Sequence, residues 1–347
     1  MRNRPLFAIA TLVVAMVWNP ARAAFFCATS NATIASALTT AATNGQDDLV
    51  RITAGTYAPS VPFEFTSEEA FAIEISGGWG PGCTTPRVGT TTIDGQHLFR
   101  ALRVSQNSNA TGASVTISDL TLLAGKAIGS GESGGGLYVF NRVAALIERL
   151  QLLGNHTQNF GGGVYLSTSG PVEFRDNLIV ANSADDNGGG AFISTFDPTI
   201  NVTNNTVFAN SATLASKAGG IDIFGGNPTT SWLSNNIVWN NTANGAADVV
   251  IFGANVRFYN DLGTVIAQPA DPVSQGNVSI DPQFRPCSGI VCFEFHLARS
   301  SPLVDAGFNS AAGGIGSYDA DGKKRLIGTR VDIGAFELDT IFENGFD

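Results

Sequence analysis

The sequence has few charged residues, and basic residues are the scarcer kind. Charged side chains make up 14% of the 347 residues, with 19 lysines and arginines against 29 aspartates and glutamates, so the net charge is −10. Nucleic acid and anionic membrane surfaces are bound by basic faces, so both are disfavoured as partners. The 44% of hydrophobic residues excludes a disordered chain, which would be poor in them.

Familiar catalytic patterns are also missing from the sequence. The three histidines, His97, His156 and His296, are scattered, and no Ser-His-Asp or Cys-His arrangement accompanies them. No strand, glycine loop and helix follow one another in the way that a phosphate-binding unit requires. Helical patterns are absent between the strand-like segments.

The first 23 residues have the features of a secretory signal peptide. Arg2 and Arg4 precede an apolar run from Leu6 to Trp18, and Ala21-Arg22-Ala23 is a small-x-small cleavage site. The run is short for a membrane span, although an N-terminal anchor is the alternative. We therefore expect an exported protein whose mature form retains 16 basic residues against 29 acidic ones.

Four cysteines remain in the expected mature chain, namely Cys27, Cys83, Cys287 and Cys292. An even number in an exported chain indicates disulfides. Sequence order favours Cys27–Cys83 and Cys287–Cys292 among three possible pairings. A zinc site is the competing interpretation, but no histidine accompanies these cysteines at a ligand spacing.

Two short blocks recur along the middle of the chain. The first is a glycine run followed by a strand-like segment, and its last glycines are Gly136, Gly163, Gly190 and Gly220. The second block ends in asparagine, at Asn155, Asn182, Asn210 and Asn241. Steps of 27 to 31 residues between copies are typical of a repeat architecture.

Both blocks alternate apolar and other residues, which is a strand signal. Several short strands per repeat, joined by Gly, Asn and Ser turns, predict an all-β parallel β-helix, a solenoid whose coils stack about 4.8 Å apart. We expect inward columns of Leu137, Val164, Ala191 and Ile221, and of Ile179, Val207 and Val238. We also expect a hydrogen-bonded ladder of Asn182, Asn210 and Asn241 at a corner.

The ends of such a solenoid need covers. An Ala-rich stretch with helical spacing, Thr33 to Thr43, predicts an N-terminal helical cap. The expected segments are a signal peptide (1–23), the N-terminal cap and first coils (24–110), regular coils (111–265), C-terminal coils and cap (266–338), and a short tail (339–347).

The repeated Gly-Gly-[Ile/Val/Leu] and Asn-x-[Ile/Val]-x-x-Asn blocks resemble the right-handed parallel β-helix superfamily of pectin-lyase-like proteins, and the repeats are similar to those of chlamydial-type polymorphic outer-membrane proteins. The later succession of Asp281-Pro282, Asp305-Ala306-Gly307 and Val331-Asp-Ile-Gly-Ala-Phe-Glu337 resembles the choice-of-anchor Q-type group. That resemblance implies an exported protein. Ile341 to Phe346 resembles a short terminal motif of some secreted Gram-negative proteins.

One candidate site is an outward column on the glycine-block strands. The residue after the first apolar one points outward, which gives Tyr138, Tyr165, Phe192 and then Asp222. Stacked rings on a solvent face can lie against sugar rings. The alternative is that they only stabilise neighbouring coils.

A second candidate lies in the turns before the glycine blocks. Asp185, Asp186 and Lys217 are suited to acid–base work on a glycoside or uronate. The alternative is a solvated turn, where such residues are common. The Gly-His-Gly and Asn-Thr-Asp signatures of polygalacturonases are absent, as are the stacked basic residues of pectate lyases.

A third candidate is Asp319-x-Asp321-Gly322, which resembles a fragment of a calcium loop. An EF-hand would place Glu at the twelfth position, where Arg330 stands. Packing of a structural turn, with Arg325 paired to an acid, is the favoured alternative.

Together these features predict a monomeric secreted or cell-surface protein that binds extracellular polysaccharide or acts as a surface interaction protein. A polysaccharide lyase or glycoside hydrolase, and an adhesive or structural spacer, are the alternatives. No cofactor is expected, with calcium as the one candidate.

Overall fold

The computed structural model describes residues 23–108, 112–197, 199–215, 217–226, 229–244, 247–268, 273–286 and 294–338. Residues 1–22 of the expected signal peptide, both C-terminal cysteines and the tail from 339 onward lie outside these ranges. Within the described ranges, no helix is long and apolar enough to cross a membrane.

The chain winds through about eight turns of a parallel β-helix, as the repeats predict. A full coil passes in order through four sheets, which we name C, A, B and D, and each strand pairs in parallel with its counterparts in the coils before and after. Sheet A consists of Ala24–Ala28, Asp48–Thr53, Ile73–Trp79, Ser114–Ser118, Ala144–Glu148, Val172–Arg175, Thr199–Thr203, Thr230–Ser234, Ala254–Phe258 and Val273–Gln275.

The other three sheets are shorter. Sheet B consists of Gly55–Tyr57, Thr91–Asp94, Leu120–Leu123, Gln151–Leu153, Leu178–Val180, Thr206–Phe208, Ile237–Trp239 and Asp261–Leu262. Sheet C consists of Phe63–Ser67, Leu102–Gln106, Leu137–Asn141, Val164–Thr168, Ala191–Thr195, Ala218–Gly225, Ala247–Phe252 and Val265–Gln268. Sheet D consists of Lys126–Ala127, His156–Thr157, Ser183–Ala184, Ser211–Ala215 and Thr242–Asn244.

The interior is built from columns of apolar side chains that repeat once per coil. The predicted register is confirmed, because Leu137 pairs with Val164, Val164 with Ala191, and Ala191 with Ile221. The second predicted column is also confirmed by the pairing of Ile179, Val207 and Val238. All of these side chains are buried, so the hydrophobic core runs continuously along the solenoid.

Two asparagine ladders hold the corners of the coils together. The predicted ladder is confirmed: Asn182 Nδ2 donates to Asn210 Oδ1, and Asn210 Nδ2 donates to Asn241 Oδ1, both at 2.9 Å. A second ladder at the corner between sheets A and B, not predicted from the sequence, consists of Asn177, Asn205, Asn236, Asn260 and Asn277. The ladder amides bond the backbone of neighbouring coils as well as each other, so these corners repeat from coil to coil.

At the corner between sheets A and B, the residue that follows the sheet A strand takes a left-handed backbone conformation in successive coils. This corner column, with φ between 51° and 58°, consists of Asp119, Arg149, Asp176, Asn204, Asn235 and Tyr259. A left-handed residue turns the chain sharply from sheet A into sheet B. Its side chain points away from the core, so the column offers polar groups on the outside of the solenoid.

The N-terminal end carries the predicted helix and one disulfide. The helix spans Asn31–Ala41, and Ser30 accepts the Thr33 backbone amide in a capping box. Its buried residues, among them Ile34 and Leu38, face the first coils, so it covers the open end as expected. The Cys27–Cys83 disulfide is present, which confirms one of the two favoured pairings.

Residues 294–338, which we name the C-terminal arm, pack along the side of the solenoid. Phe295 and Phe336 contact Leu178 and Val180 on the outer face of sheet B. Leu297, Leu303 and Ile333 cover Ile237 in the same way. The arm therefore buries Leu178, Val180 and Ile237 on the outer face of these coils.

The corner column anchors the arm. Asn235 accepts the Phe308 amide at 2.6 Å and donates to the Phe308 carbonyl at 3.0 Å. Arg325 is completely buried and bonds Asp176 Oδ1 at 2.5 Å and Glu337 Oε2 at 3.3 Å. The favoured sequence interpretation of Arg325, a structural pair with an acid, is thereby confirmed.

Candidate functional site

The outward column on sheet C forms a stacked aromatic surface, which we name the ring platform. The ring centroids of Tyr138 and Tyr165 are 5.2 Å apart with planes 15° from parallel, and those of Tyr165 and Phe192 are 5.5 Å apart at 5°. The three rings thus form one continuous stack, in which Tyr165 lies between its two neighbours. All three side chains are half-buried.

The position of the rings follows from strand geometry. Leu137, Val164 and Ala191 point inward, so the next residue in each strand points outward. Because the three strands pair in register, the rings repeat once per coil, about 4.8 Å apart. The platform therefore runs parallel to the solenoid axis.

Two arginines flank the first ring of the platform. The guanidinium carbons of Arg100 and Arg103 lie 5.1 and 4.8 Å from the centroid of the Tyr138 ring. Arg100 is buried and donates to the carbonyls of Ser133 and Gly134 at 2.8 and 2.9 Å. It therefore fixes the loop that leads into the first platform strand.

Asp222 stands next in the column but not on the surface. It pairs in register with Phe192, yet only 1% of the residue is exposed. Asn187 Nδ2 donates to Asp222 Oδ2. The other carboxyl oxygen, Asp222 Oδ1, has no hydrogen-bond partner among the described residues. The predicted outward direction of Asp222 agrees with this register, but the side chain is buried.

Two of the three predicted catalytic residues, Lys217 and Asp186, lie near the buried Asp222 carboxyl. Burial raises the pKa of Asp222 to about 7; the Lys217 charge opposes the shift and the Asp186 charge adds to it. Lys217 and Asp186 are therefore close enough to act on Asp222. Asp185 is exposed, and its backbone carbonyl accepts the Thr213 hydroxyl. The catalytic role of the three residues stays a prediction.

Asp222→Asn should raise the free energy of unfolding at pH 8 and change it little at pH 4. An unfolded aspartate titrates near ~3.9, so between pH 4 and 7 the folded state binds the extra proton and stability falls as the pH rises. Asparagine is uncharged throughout. We expect a gain of about 1–3 kcal/mol at pH 8, measured by urea unfolding.

Asp185→Asn is the matched control for this pH dependence, since it changes an exposed carboxyl near the same turn. It should leave unfolding unaltered at both pH values. Equal effects of Asp222→Asn at pH 4 and pH 8 would show that burial of its charge is not what costs stability.

The proposed calcium ligands serve the fold of the C-terminal arm. Asp319 Oδ1 accepts the amides of Asp321 and Lys323 at 3.0 and 2.7 Å, and its Oδ2 accepts the Glu337 amide at 3.0 Å. Asp321 Oδ2 lies 2.8 Å from His296 Nε2. Among the described residues, no three His, Cys, Asp or Glu side chains are grouped to hold a metal ion.

His296 joins two parts of the arm. Its ring lies 4.2 Å from that of Phe336, and it bonds Glu294 as well as Asp321. Burial lowers the pKa of His296, but the hydrogen bond and charge of Asp321 and the charge of Glu294 outweigh it, and the net shift is upward. These contacts give His296 a structural place in the C-terminal arm.

Comparisons with known proteins support the fold. Residues 90–262 match a family model described as a right handed beta helix region. A search of curated proteins gave no match. The match covers the coils that carry both asparagine ladders up to Leu262 and the whole ring platform.

Proposed function

Since residues 90–262 belong to the right-handed β-helix family, we propose that this protein is exported and binds an extracellular polysaccharide along the ring platform. Export is supported by the signal-like residues 1–23 and by the Cys27–Cys83 disulfide, because disulfides persist in oxidising compartments. The finer resemblance to choice-of-anchor Q-type and polymorphic outer-membrane proteins belongs to this proposal.

The observation that carries the proposal is the stacking of Tyr138, Tyr165 and Phe192 on an outward face. Their repeat of about 4.8 Å per coil is close to the length of one pyranose unit in an extended polysaccharide. The C–H groups of a sugar face pack on aromatic rings, and burying this apolar surface stabilises the complex. A polymer lying parallel to the solenoid axis meets one ring per unit.

Binding is better supported than cleavage. Hydrolysis requires carboxyl groups at the glycosidic bond, whereas Asp222 is covered at 1% exposure and Asp185 belongs to an exposed turn. The platform needs no buried group to act. The lyase or hydrolase alternative therefore stays a prediction of the sequence.

Tyr165→Ala should weaken glycan binding by about tenfold or more. Tyr165 is the central ring and contacts both neighbours, so its loss removes stacking and apolar contact worth about 1.4 kcal/mol or more. Affinity electrophoresis against a panel of neutral and uronate-rich polysaccharides measures the change. Urea unfolding of the same variant separates lost binding from lost folding.

Tyr318→Ala is the matched control for Tyr165→Ala. Tyr318 is 41% exposed on the C-terminal arm, away from the platform, so its removal should leave retardation unchanged. Two results would contradict the proposal: no polysaccharide retards the wild type, or Tyr165→Ala lowers stability without changing retardation. In either case the rings only hold the coils together, and the spacer alternative is favoured.

A further inference from the structure

A second row of outward positions runs beside the ring platform. Two residues beyond each ring, Phe140, Ser167 and Ser194 pair in register and share the outer face of sheet C. The Ser194 hydroxyl donates to the Ser167 oxygen at 3.1 Å. The small serines next to Phe140 leave a depression in this face.

Phe196 closes the depression on its open side. It follows the strand Ala191–Thr195 and is 70% exposed, while Phe140 is 39% exposed. The Phe196 ring lies against Gly226, where an added Cβ would be 2.6 Å from ring atom Cδ1. Glycine thus leaves room for the ring in this position. Exposed aromatic side chains gathered around one depression mark an interaction site.

The space between the two phenylalanine rings is a cavity of about 380 Å³, within the usual range for small-ligand sites. Arg142, Ser167, Thr168 and Ser169 also line it. Apolar walls with hydroxyl and guanidinium groups suit a sugar ring, which has C–H faces and hydroxyl edges.

The cavity opens beside the platform. Tyr165 and Ser167 are two residues apart on one strand, which separates their side chains by about 7 Å across the sheet face. A polymer lying on the platform passes the cavity at this distance. A substituent that projects sideways from the polymer can enter it.

We propose that the protein recognises a branched polysaccharide, with the main chain on the ring platform and a side-branch sugar between Phe140 and Phe196. This inference rests on the proposed function, since it takes the platform as the site of the main chain. It adds the substrate class: branched polymers bind more tightly than linear ones with the same main chain.

The test compares linear and branched polymers in matched pairs: linear mannan with galactomannan, and linear xylan with arabinoxylan. The wild type should be retarded more strongly by the branched member of at least one pair. Phe196→Ala should weaken binding to that member by about tenfold and leave binding to its linear partner unchanged. At 70% exposure, its removal should not affect folding.

Two further variants make the outcomes distinguishable. Phe25→Ala, which removes a 49% exposed ring from sheet A, should change neither affinity. If Tyr165→Ala weakens both polymers but Phe196→Ala weakens neither, or both equally, the branch site is refuted and the platform stands. Equal affinity of the wild type for both members of every pair also refutes it. If Tyr165→Ala weakens no polymer, the proposed function fails, and this inference with it.

Discussion

Replacing Arg325 by leucine should lower the free energy of unfolding by about 3–5 kcal/mol and release the C-terminal arm. The guanidinium is completely buried and bonds Asp176 Oδ1 at 2.5 Å and the Ala335 carbonyl at 2.7 Å. Asp176 and Glu337 would lose their buried cation. Removing one partner of a buried ion pair leaves an uncompensated buried charge, and the desolvation of that charge destabilises the fold.

Arg325 is the cation that two buried carboxyls share. Burial raises the pKa of Glu337 to about 8 and that of Asp176 to about 7, and the Arg325 charge opposes both shifts. Both carboxyls therefore depend on the same guanidinium for compensation of their charge. Loss of Arg325 leaves Asp176 to bind a proton or draw in water, and either breaks the packing of the arm on sheet B.

Urea unfolding and limited proteolysis measure these two consequences of Arg325→Leu. Cleavage within residues 294–338 should become rapid while the coils stay protected. Lys323→Leu removes the same charge two residues away, from a side chain that is 58% exposed, and should change neither measurement by much. Wild-type stability and an uncut arm in Arg325→Leu would show that the buried pair does not hold the arm.

The sequence predicts the interior of the solenoid well because one physical rule applies in every coil. Side chains alternate along a strand, so a repeat of about 27 residues places Val164 over Leu137 and under Ala191. The same reasoning places Tyr165 between Tyr138 and Phe192. These predictions need only local alternation and a constant coil length.

The arm was missed although the sequence carries a signal for it. Leu178-Ile-Val180 and Ile237-Val-Trp239 are apolar at every position. A strand with one solvent-exposed face instead alternates apolar and polar residues. Such runs indicate burial on both faces. Nothing in the sequence states which segment covers the outer face, because the contacts between Leu178 and Phe336 join residues far apart in the chain.

The burial of Asp222 was not predicted, although its coil is longer than the preceding ones. The step from Gly190 to Gly220 is 30 residues instead of 27. The strands Ser211–Ala215 and Ala218–Gly225 lie in this step, and each shows a shift of register against its partner in the next coil. Such shifts mark extra residues that bulge from the coil, and the buried carboxyl accepts from Asn187. The longer spacing can be read from the sequence, but the burial of Asp222 cannot.

Asn210→Ala should destabilise the protein by about 3–5 kcal/mol, since the side chain lies in the middle of a ladder. Asn210 Oδ1 accepts from the Asn182 amide nitrogens of backbone and side chain, both at 2.9 Å. Its Nδ2 donates to Asn241 Oδ1 and the Ile179 carbonyl, also at 2.9 Å. Truncation leaves several buried groups unpaired, and urea unfolding measures the loss.

Asn210→Asp tests whether the ladder depends on the donor as well as the acceptor. The new carboxylate still accepts from Asn182 but faces the oxygens of Asn241 and Ile179, so it should destabilise at pH 7 and less at pH 4, where a protonated carboxyl donates. The natural ladder obeys this rule: it ends on Asp248, which accepts from Asn241 and from the Thr264 amide and donates to neither. Asn107→Ala, which removes one exposed hydrogen bond to Glu68, should cost under about 1 kcal/mol. A similar loss in Asn210→Ala would mean that water replaces the ladder, and that apolar packing alone keeps the coils, and with them the ring platform, in register.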